Sequence, residues 1–302
     1  MGNSRESKYP SKSKDHVWTL EDSTRWNHYR PRRGDTVVST YPKCGTTWME
    51  HIVLNLRHYG AEIPLLHDVA PWIEMRWSRK NMDVDLPIEE LIDWMECIPH
   101  RRQIKSHLPL DYLPYRPEVK YLVVGRDMRD AYLSWHAHML KADMLEEEDL
   151  HAFWLTWVKK GALVEKWAEG HAPAATGDTP HPHFAFYHNW WQYRDLDNIL
   201  LVHFNDLLGD LRSEIERIAG FLEIEVDDVA IDTIAQATTF SSMKENAEHL
   251  LDHMSKLINK GTNGRWKEVL LDEDLALYDK AKAEAKNLGV STECLLWLET
   301  GR

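Results

Sequence analysis

Lys43, Gly45, Thr46 and Thr47 stand in the stretch TVVSTYPKCGTTWMEHIVLNLRHYG, residues 36 to 60, and as a set they could hold an anion. The lysine brings a full charge, the threonines bring hydroxyl donors, and the glycine lets a ligand approach the backbone. Such a site also needs backbone N–H groups aimed outward, which the start of a helix supplies. TVVST is a short β-branched run suited to a pleated backbone. From Trp48 the apolar residues fall at helical spacing, Trp48 with Ile52, then Met49, Val53 and Leu56, and the pattern stops at Gly60. Pro42 to Thr47 is therefore read as a tight strand-to-helix turn. The free N–H groups of residues 45 to 48 at its end suit a phosphate or sulfate group. The same pattern also fits an ordinary threonine helix cap with no ligand. In the Walker loop the lysine follows the second glycine, whereas here it precedes the only one. The next strand ends with Lys105 and His107 rather than an aspartate for magnesium, so an ATP-dependent kinase is a poor fit.

Three further extended segments accompany the opening strand: RRQIKSH at 101–107, VKYLVVG at 119–125 and NILLVHF at 198–204. YLVVG and ILLV are nearly continuous apolar runs, as expected of parallel strands covered on both faces. Helical patterns lie between them, DAYLSWHAHMLKAD at 130–143 and LRSEIERIAGFL at 211–222. This alternation spells an α/β domain with a central parallel sheet flanked by helices. Ligands of such sheets sit beyond the carboxyl ends of the strands, where the turn lies. Residues 1–33 read as an N-terminal tail with docked aromatics, Trp18, Trp26 and Tyr29, and 34–302 as one domain. Residues 168–183, rich in Ala, Gly, Pro and His, form a long surface loop, either disordered or lid-like.

Composition narrows the function. A formal charge of −13 opposes non-specific nucleic-acid binding, so an anionic ligand needs a local positive focus. Three cysteines, Cys44, Cys97 and Cys294, make neither a disulfide framework nor a zinc site and point to a reducing compartment. No apolar run approaches the roughly 18 residues of a membrane span, and the polar N-terminus has no hydrophobic signal region. A cytoplasmic protein without a membrane partner is expected. His136 and His138 sit two apart on a helix and face different directions, so no metal is expected there.

Tyr41-Pro42-Lys43-Cys44-Gly45-Thr46-Thr47-Trp48 resembles the phosphosulfate-binding loop of the cytosolic-type sulfotransferases. Those enzymes move a sulfuryl group from 3′-phosphoadenosine 5′-phosphosulfate (PAPS) to a hydroxyl or amine. Lys105-Ser106-His107-Leu108-Pro109 resembles their catalytic-histidine segment. Gly125-Arg126-Asp127-Met128-Arg129-Asp130 with Ser134 resembles their 3′-phosphate site, and Lys260 to Lys267 their C-terminal nucleotide loop. Four elements in order span residues 41 to 267. The resemblance implies a single-domain, three-layer sandwich like that of P-loop kinases and an enzyme with PAPS as co-substrate and no metal.

It also implies roles. His107 is the general base; Lys43 and Lys105 stabilise charge on the leaving oxygen and the sulfuryl oxygens. Lys43, Cys44, Gly45, Thr46, Thr47 and Trp48 form the donor loop. Arg126 and Ser134 take the 3′-phosphate, and Lys260 and Gly261 close that pocket. Trp48, Phe204, Thr238, Phe240 and Met243 flank the adenine. Departures are Asn259 where the family usually has arginine, and Cys44 where it usually has serine. A thiol at a helix start can have a lowered pKa, which would make Cys44 redox-sensitive. The dimerisation pattern of animal members is absent after Trp266, which leaves the oligomeric state open.

For the acceptor, Trp72, Met75 and Trp77, with Phe153, Trp154 and Trp157, either wall an apolar pocket or belong to the core. The first reading implies a small hydrophobic or aromatic acceptor. A non-catalytic protein of the same fold that binds 3′-phosphoadenosine nucleotides is the alternative.

Overall fold

The computed structural model describes residues 9–17, 20–78, 81–141, 150–162, 180–247 and 261–302. Trp18, most of the 168–183 loop, Asn259 and Lys260 lie outside them. Four parallel strands form the central sheet: β1 (Thr36–Thr40), β4 (Gln103–Ser106), β5 (Lys120–Gly125) and β6 (Ile199–His203), in the order β4-β1-β5-β6. Val38 pairs with Lys105 on one side and Leu122 on the other. A two-stranded antiparallel pair, β2 (Trp77–Ser78) and β3 (Asn81–Asp85), stands apart.

Alternation along each strand makes this a three-layer fold. Val37, Tyr121 and Val123 face one apolar cluster, while Val38, Leu122 and Val124 face another. The second cluster is covered by α1 (Thr46–His58), α2 (Leu66–Val69) being peripheral to it, and by later helices of the same face. The first cluster receives α3 (Ile88–Cys97), α4 (Met128–Lys141), α5 (Leu150–Lys160) and α6 (Pro182–Trp191). After β6 come α7 (Phe204–Gly209), α8 (Leu211–Leu222), α9 (Asp228–Ala237) and α10 (Phe240–Glu245). The chain ends with α11 (Trp266–Val269), α12 (Asp272–Asn287) and α13 (Thr292–Thr300).

The many aromatics divide between these tasks. Trp154 and Trp157 of α5 are fully buried, and Phe153 stacks on Trp135 at 4.8 Å, so this trio belongs to the core rather than to a pocket wall. Trp26 and Tyr29 are buried too. The Tyr29 hydroxyl donates to Asp35 at 2.7 Å, and Arg102 binds the same carboxylate, which fastens the segment before β1 to the sheet. Gly125, the last residue of β5, admits the Trp297 ring of α13: a Cβ there would lie 2.2 Å from it.

Parallel strands bring all their carboxyl ends to one edge. Thr40 ends β1, and His107, Arg126 and Phe204 follow the ends of β4, β5 and β6, so all four stand on that edge. No described helix is long and apolar enough to cross a membrane.

Candidate active site

The turn after β1 is shaped by two left-handed residues. Lys43 has φ 67° and Gly45 has φ 104°, the former an unusual conformation for a residue with a Cβ. Space is tight at Gly45 as well, since a Cβ would lie 3.0 Å from the Phe204 ring. The first helical bond of α1 runs from Met49 N–H to the Gly45 carbonyl at 3.0 Å. The N–H groups of Thr46, Thr47 and Trp48 precede it and are left for a ligand. Cys44 N–H is spent inside the turn on the Tyr41 carbonyl at 3.2 Å. The Thr40 and Thr46 hydroxyls bond each other.

Cys44 overturns one expectation. Its thiol is fully buried, within 3.7 Å of the Pro42 carbonyl, and burial pushes its pKa up to about 12. The side chain points into the core instead of toward the helix start. Burial therefore opposes thiolate formation at Cys44, the reverse of a lowered pKa.

Arg126 lies beside the turn. Its guanidinium donates to the Lys43 carbonyl at 2.9 Å, the Thr262 carbonyl at 3.0 Å and Asn263 Oδ1 at 2.7 Å, and it rests on the Phe204 ring at 4.3 Å. Three of the five guanidinium hydrogens are engaged, which leaves two for an anion. The loop that meets it is strapped down: Gly264 and Arg265 N–H donate to the Asp130 carboxylate at 2.6 and 3.1 Å, and Asn263 donates to Asn205 at 2.6 Å. Gly261, at φ 62°, lies so close to Phe240 that a Cβ would be 2.1 Å from its ring.

Trp48 packs edge-on against Phe204 at 5.1 Å and donates its indole N–H to the Thr238 carbonyl at 2.8 Å. Met243 is buried in the same cluster. Ser134 is half-buried on α4. Lys260 is outside the described residues.

The second half of the site follows β4. His107 Nδ1 lies 2.8 Å from the Thr40 carbonyl, which can only accept, so Nδ1 carries the proton and Nε2 keeps its lone pair. The His107 backbone N–H donates to Glu74 Oε1 at 2.7 Å, and Trp26 Nε1 donates to Glu74 Oε2 at 2.8 Å. Trp72 stands edge-on to His107 at 5.0 Å, and the Lys105 ammonium sits 3.9 Å from the centre of the Trp72 ring. Burial, then Lys105 and Lys43, lower the His107 pKa to about 3. Burial followed by Lys105 and Arg126 lowers that of Lys43 to about 8. These shifts describe a pocket in which positive charge is concentrated.

Several of these residues were not singled out in the sequence. Asn263 and Asp130 lie inside quoted motifs, yet their link to Arg126 depends on a contact across more than 130 positions. Glu74 carries no local signal. His138 had one: it lies four residues after Ser134 on the same helix face, and Lys43 and Lys105 help burial lower its pKa to about 4. Among the described residues no group of three or more His, Cys, Asp or Glu is placed to hold a metal.

Comparison with known proteins fits this geometry. The chain is 28% identical to a glycolipid sulfotransferase of Mycobacterium tuberculosis, over 94% of this chain and 93% of that one. It is 25% identical to sulfotransferase 1C2 of Homo sapiens over 82% of each. The fold matches mouse sulfotransferase SULT7A1 complexed with PAP, the 3′-phosphoadenosine 5′-phosphate product, at TM-score 0.67 and 21% identity, covering 87% of this chain and 88% of that one. It also matches retinol dehydratase in complex with androsterone and PAP, at TM-score 0.68 and 20% identity over 89% and 84%. The sulfotransferase-domain family model covers residues 33–287, and this chain belongs to that family.

Proposed function

We propose that this sulfotransferase moves a sulfuryl group from PAPS to a hydroxyl, or an amine, of a small hydrophobic or aromatic acceptor. The observation that carries the reading is His107: its Nδ1–H is fixed on the Thr40 carbonyl, which leaves Nε2 as a base beside Lys105. The donor supplies the sulfuryl group and leaves as PAP. The N–H groups of residues 46 to 48, the Lys43 ammonium and the two spare hydrogens of Arg126 fit its phosphates, and Trp48 with Phe204 offers an aromatic wall for adenine. As the acceptor oxygen bonds to sulfur, the sulfur–bridging oxygen bond breaks and the acceptor proton passes to His107 Nε2. Lys43 and Lys105 stabilise the negative charge that moves between the two oxygens.

Neutral His107 is the form the step needs. Its low pKa in the free protein keeps it unprotonated, and an anionic donor opposes the lysines that lower it. The bound donor thus makes His107 a stronger base. The three free cysteines suit a cytoplasmic location. The mycobacterial relative adds glycolipid hydroxyls to the acceptors worth screening.

Thermal unfolding with PAP, and with ATP for comparison, tests donor recognition. The midpoint should rise with PAP concentration and hardly respond to ATP. No shift at millimolar PAP would defeat the reading. A shift without transfer to any acceptor would instead favour a non-catalytic nucleotide-binding protein.

A further inference from the structure

A buried carboxyl oxygen on the acceptor side of the site lacks a partner. Residues 20–22 are pinned against 74–76: Glu21 pairs in an antiparallel bridge with Met75, Asp22 N–H donates to the Glu74 carbonyl at 2.7 Å, and Arg76 N–H donates to the Leu20 carbonyl at 2.8 Å. Glu74 is the residue that holds the backbone of His107. Glu21 is 8% exposed, and its Oε2 is buried with no hydrogen-bond partner among the described residues. The bridge to Met75 sets Glu21 beside Glu74, and Glu74 in turn bonds the backbone of His107 where β4 ends. Burial, then Glu74, raise its pKa to about 8, against the pull of Lys105. Among the described residues nothing bonds this oxygen, whereas Glu74 binds both Trp26 and His107. It also precedes residue 33, where the family match begins.

A desolvated oxygen without a partner is costly and is expected where a ligand will complete it. Around it the acceptor side holds Trp72, Lys105, half-buried His138 and Glu74, whose two oxygens are already bonded to His107 and Trp26. A carboxyl oxygen there discriminates between acceptors, since it is satisfied only by a ligand that hydrogen-bonds to it, and a cationic donor also favours its ionised form.

We propose that Glu21 recognises the acceptor, its free carboxyl oxygen taking a hydrogen bond from a second O–H or N–H group placed beside the hydroxyl that is sulfated. The proposal rests on the transfer reading above and narrows its substrate class to vicinal diols and amino alcohols, aromatic ones included.

The test compares three acceptors on one scaffold: 2-naphthol, 2,3-dihydroxynaphthalene and 1-(aminomethyl)-2-naphthol. Each is assayed with the full chain as wild type, Glu21→Leu and Glu21→Gln. Wild type should favour a donor-bearing acceptor over 2-naphthol by about 10-fold or more in kcat/KM, chiefly through KM. Glu21→Leu should erase that preference and leave 2-naphthol within about twofold. Glu21→Gln, whose amide oxygen still accepts, should retain it for the diol and lose it for the ammonium. This separates the two donor types. An equal fall for all three acceptors, or no wild-type preference, overturns the proposal. The PAP-induced thermal shift should be unchanged in both variants; if Glu21→Leu fails to fold, Glu21→Gln with the ammonium acceptor decides. If wild type transfers to none of the three, calorimetry on the PAP complex separates the two ideas. A binding preference that Glu21→Leu removes sustains the recognition role while the transfer reading falls, and equal or absent binding overturns the role.

Discussion

The nucleotide side and the acceptor side of the strand edge are held by different kinds of bond. On the nucleotide side, Lys43, Arg126, Thr262, Asn263, Asn205 and Asp130 form a continuous network, and Trp48 is tied to Thr238. That half is pre-organised, so a ligand meets donors already in place. On the acceptor side, one carboxylate, Glu74, joins Trp26 to His107, and around it stand a neutral imidazole, a carboxyl oxygen without a partner and a lysine resting on an indole. On the proposed reading, the donor meets a rigid surface and selectivity for the acceptor falls to a few separately mounted side chains.

Substitutions can break this division. The largest effect is expected of His107→Ala: turnover should fall about 10²–10⁴-fold with PAP affinity nearly unchanged. A matching loss of PAP binding would show that the halves are not separable. Lys43→Met should lower kcat by about 10²–10³-fold, the scale of one lost charge-stabilising donor. Arg126→Lys should weaken PAP by about 10–100-fold, measured by calorimetry, because a lysine cannot span the Asn263, Thr262 and Lys43 acceptors and a phosphate together. Saturating donor should largely restore its turnover.

The two sides should also communicate through charge. PAP adds negative charge beside Lys43 and Lys105, so the His107 pKa, about 3 in the free protein, should rise when PAP binds. An NMR titration of the imidazole would report it, and an unchanged value would place the phosphates too far from His107 for the proposed chemistry.

The smallest effect concerns the packing behind the acceptor side. His183 is fully buried, both ring nitrogens lack partners, and burial followed by His181 lowers its pKa to about 3. Its unfolded value is near 6.5, so between these values the unfolded chain binds the extra proton. Stability from neutral burial is complete above 6.5 and declines as pH falls below it. His183→Phe removes this dependence. Its thermal advantage over wild type should widen by up to about 1.4 kcal/mol per pH unit from 6.5 to 4.5. A constant gap would mean that His183 is already charged.

Local pattern made the nucleotide half legible. The β-branched run, the glycine and the helical spacing after Trp48 name the turn without any distant contact, and four strands were visible as short apolar or mixed runs within a residue or two of their ends. The acceptor half was less legible because Glu21, Glu74 and Trp26 reach it from separate segments through a bridge and two hydrogen bonds. Phe153, Trp154 and Trp157 show the limit from the other side: a buried wall of aromatics and a pocket wall have the same composition, and only neighbours such as Trp135 and Tyr132 tell them apart. The Cys44 expectation failed for a similar reason. Position along the helix was plain, but the direction of the side chain was not.

Trp297 gives the fold an ordering in time. Its ring fills the space over Gly125, one residue before Arg126, while the neighbouring Leu298 carbonyl is bonded to His203, one residue before Phe204. Two strand ends of the nucleotide site are thus finished by a helix that the ribosome makes well after every motif residue. A nascent chain halted at residue 290 would contain the whole signature and still lack the packing beneath it, so nucleotide recognition should emerge late in synthesis and be lost when α13 is clipped away.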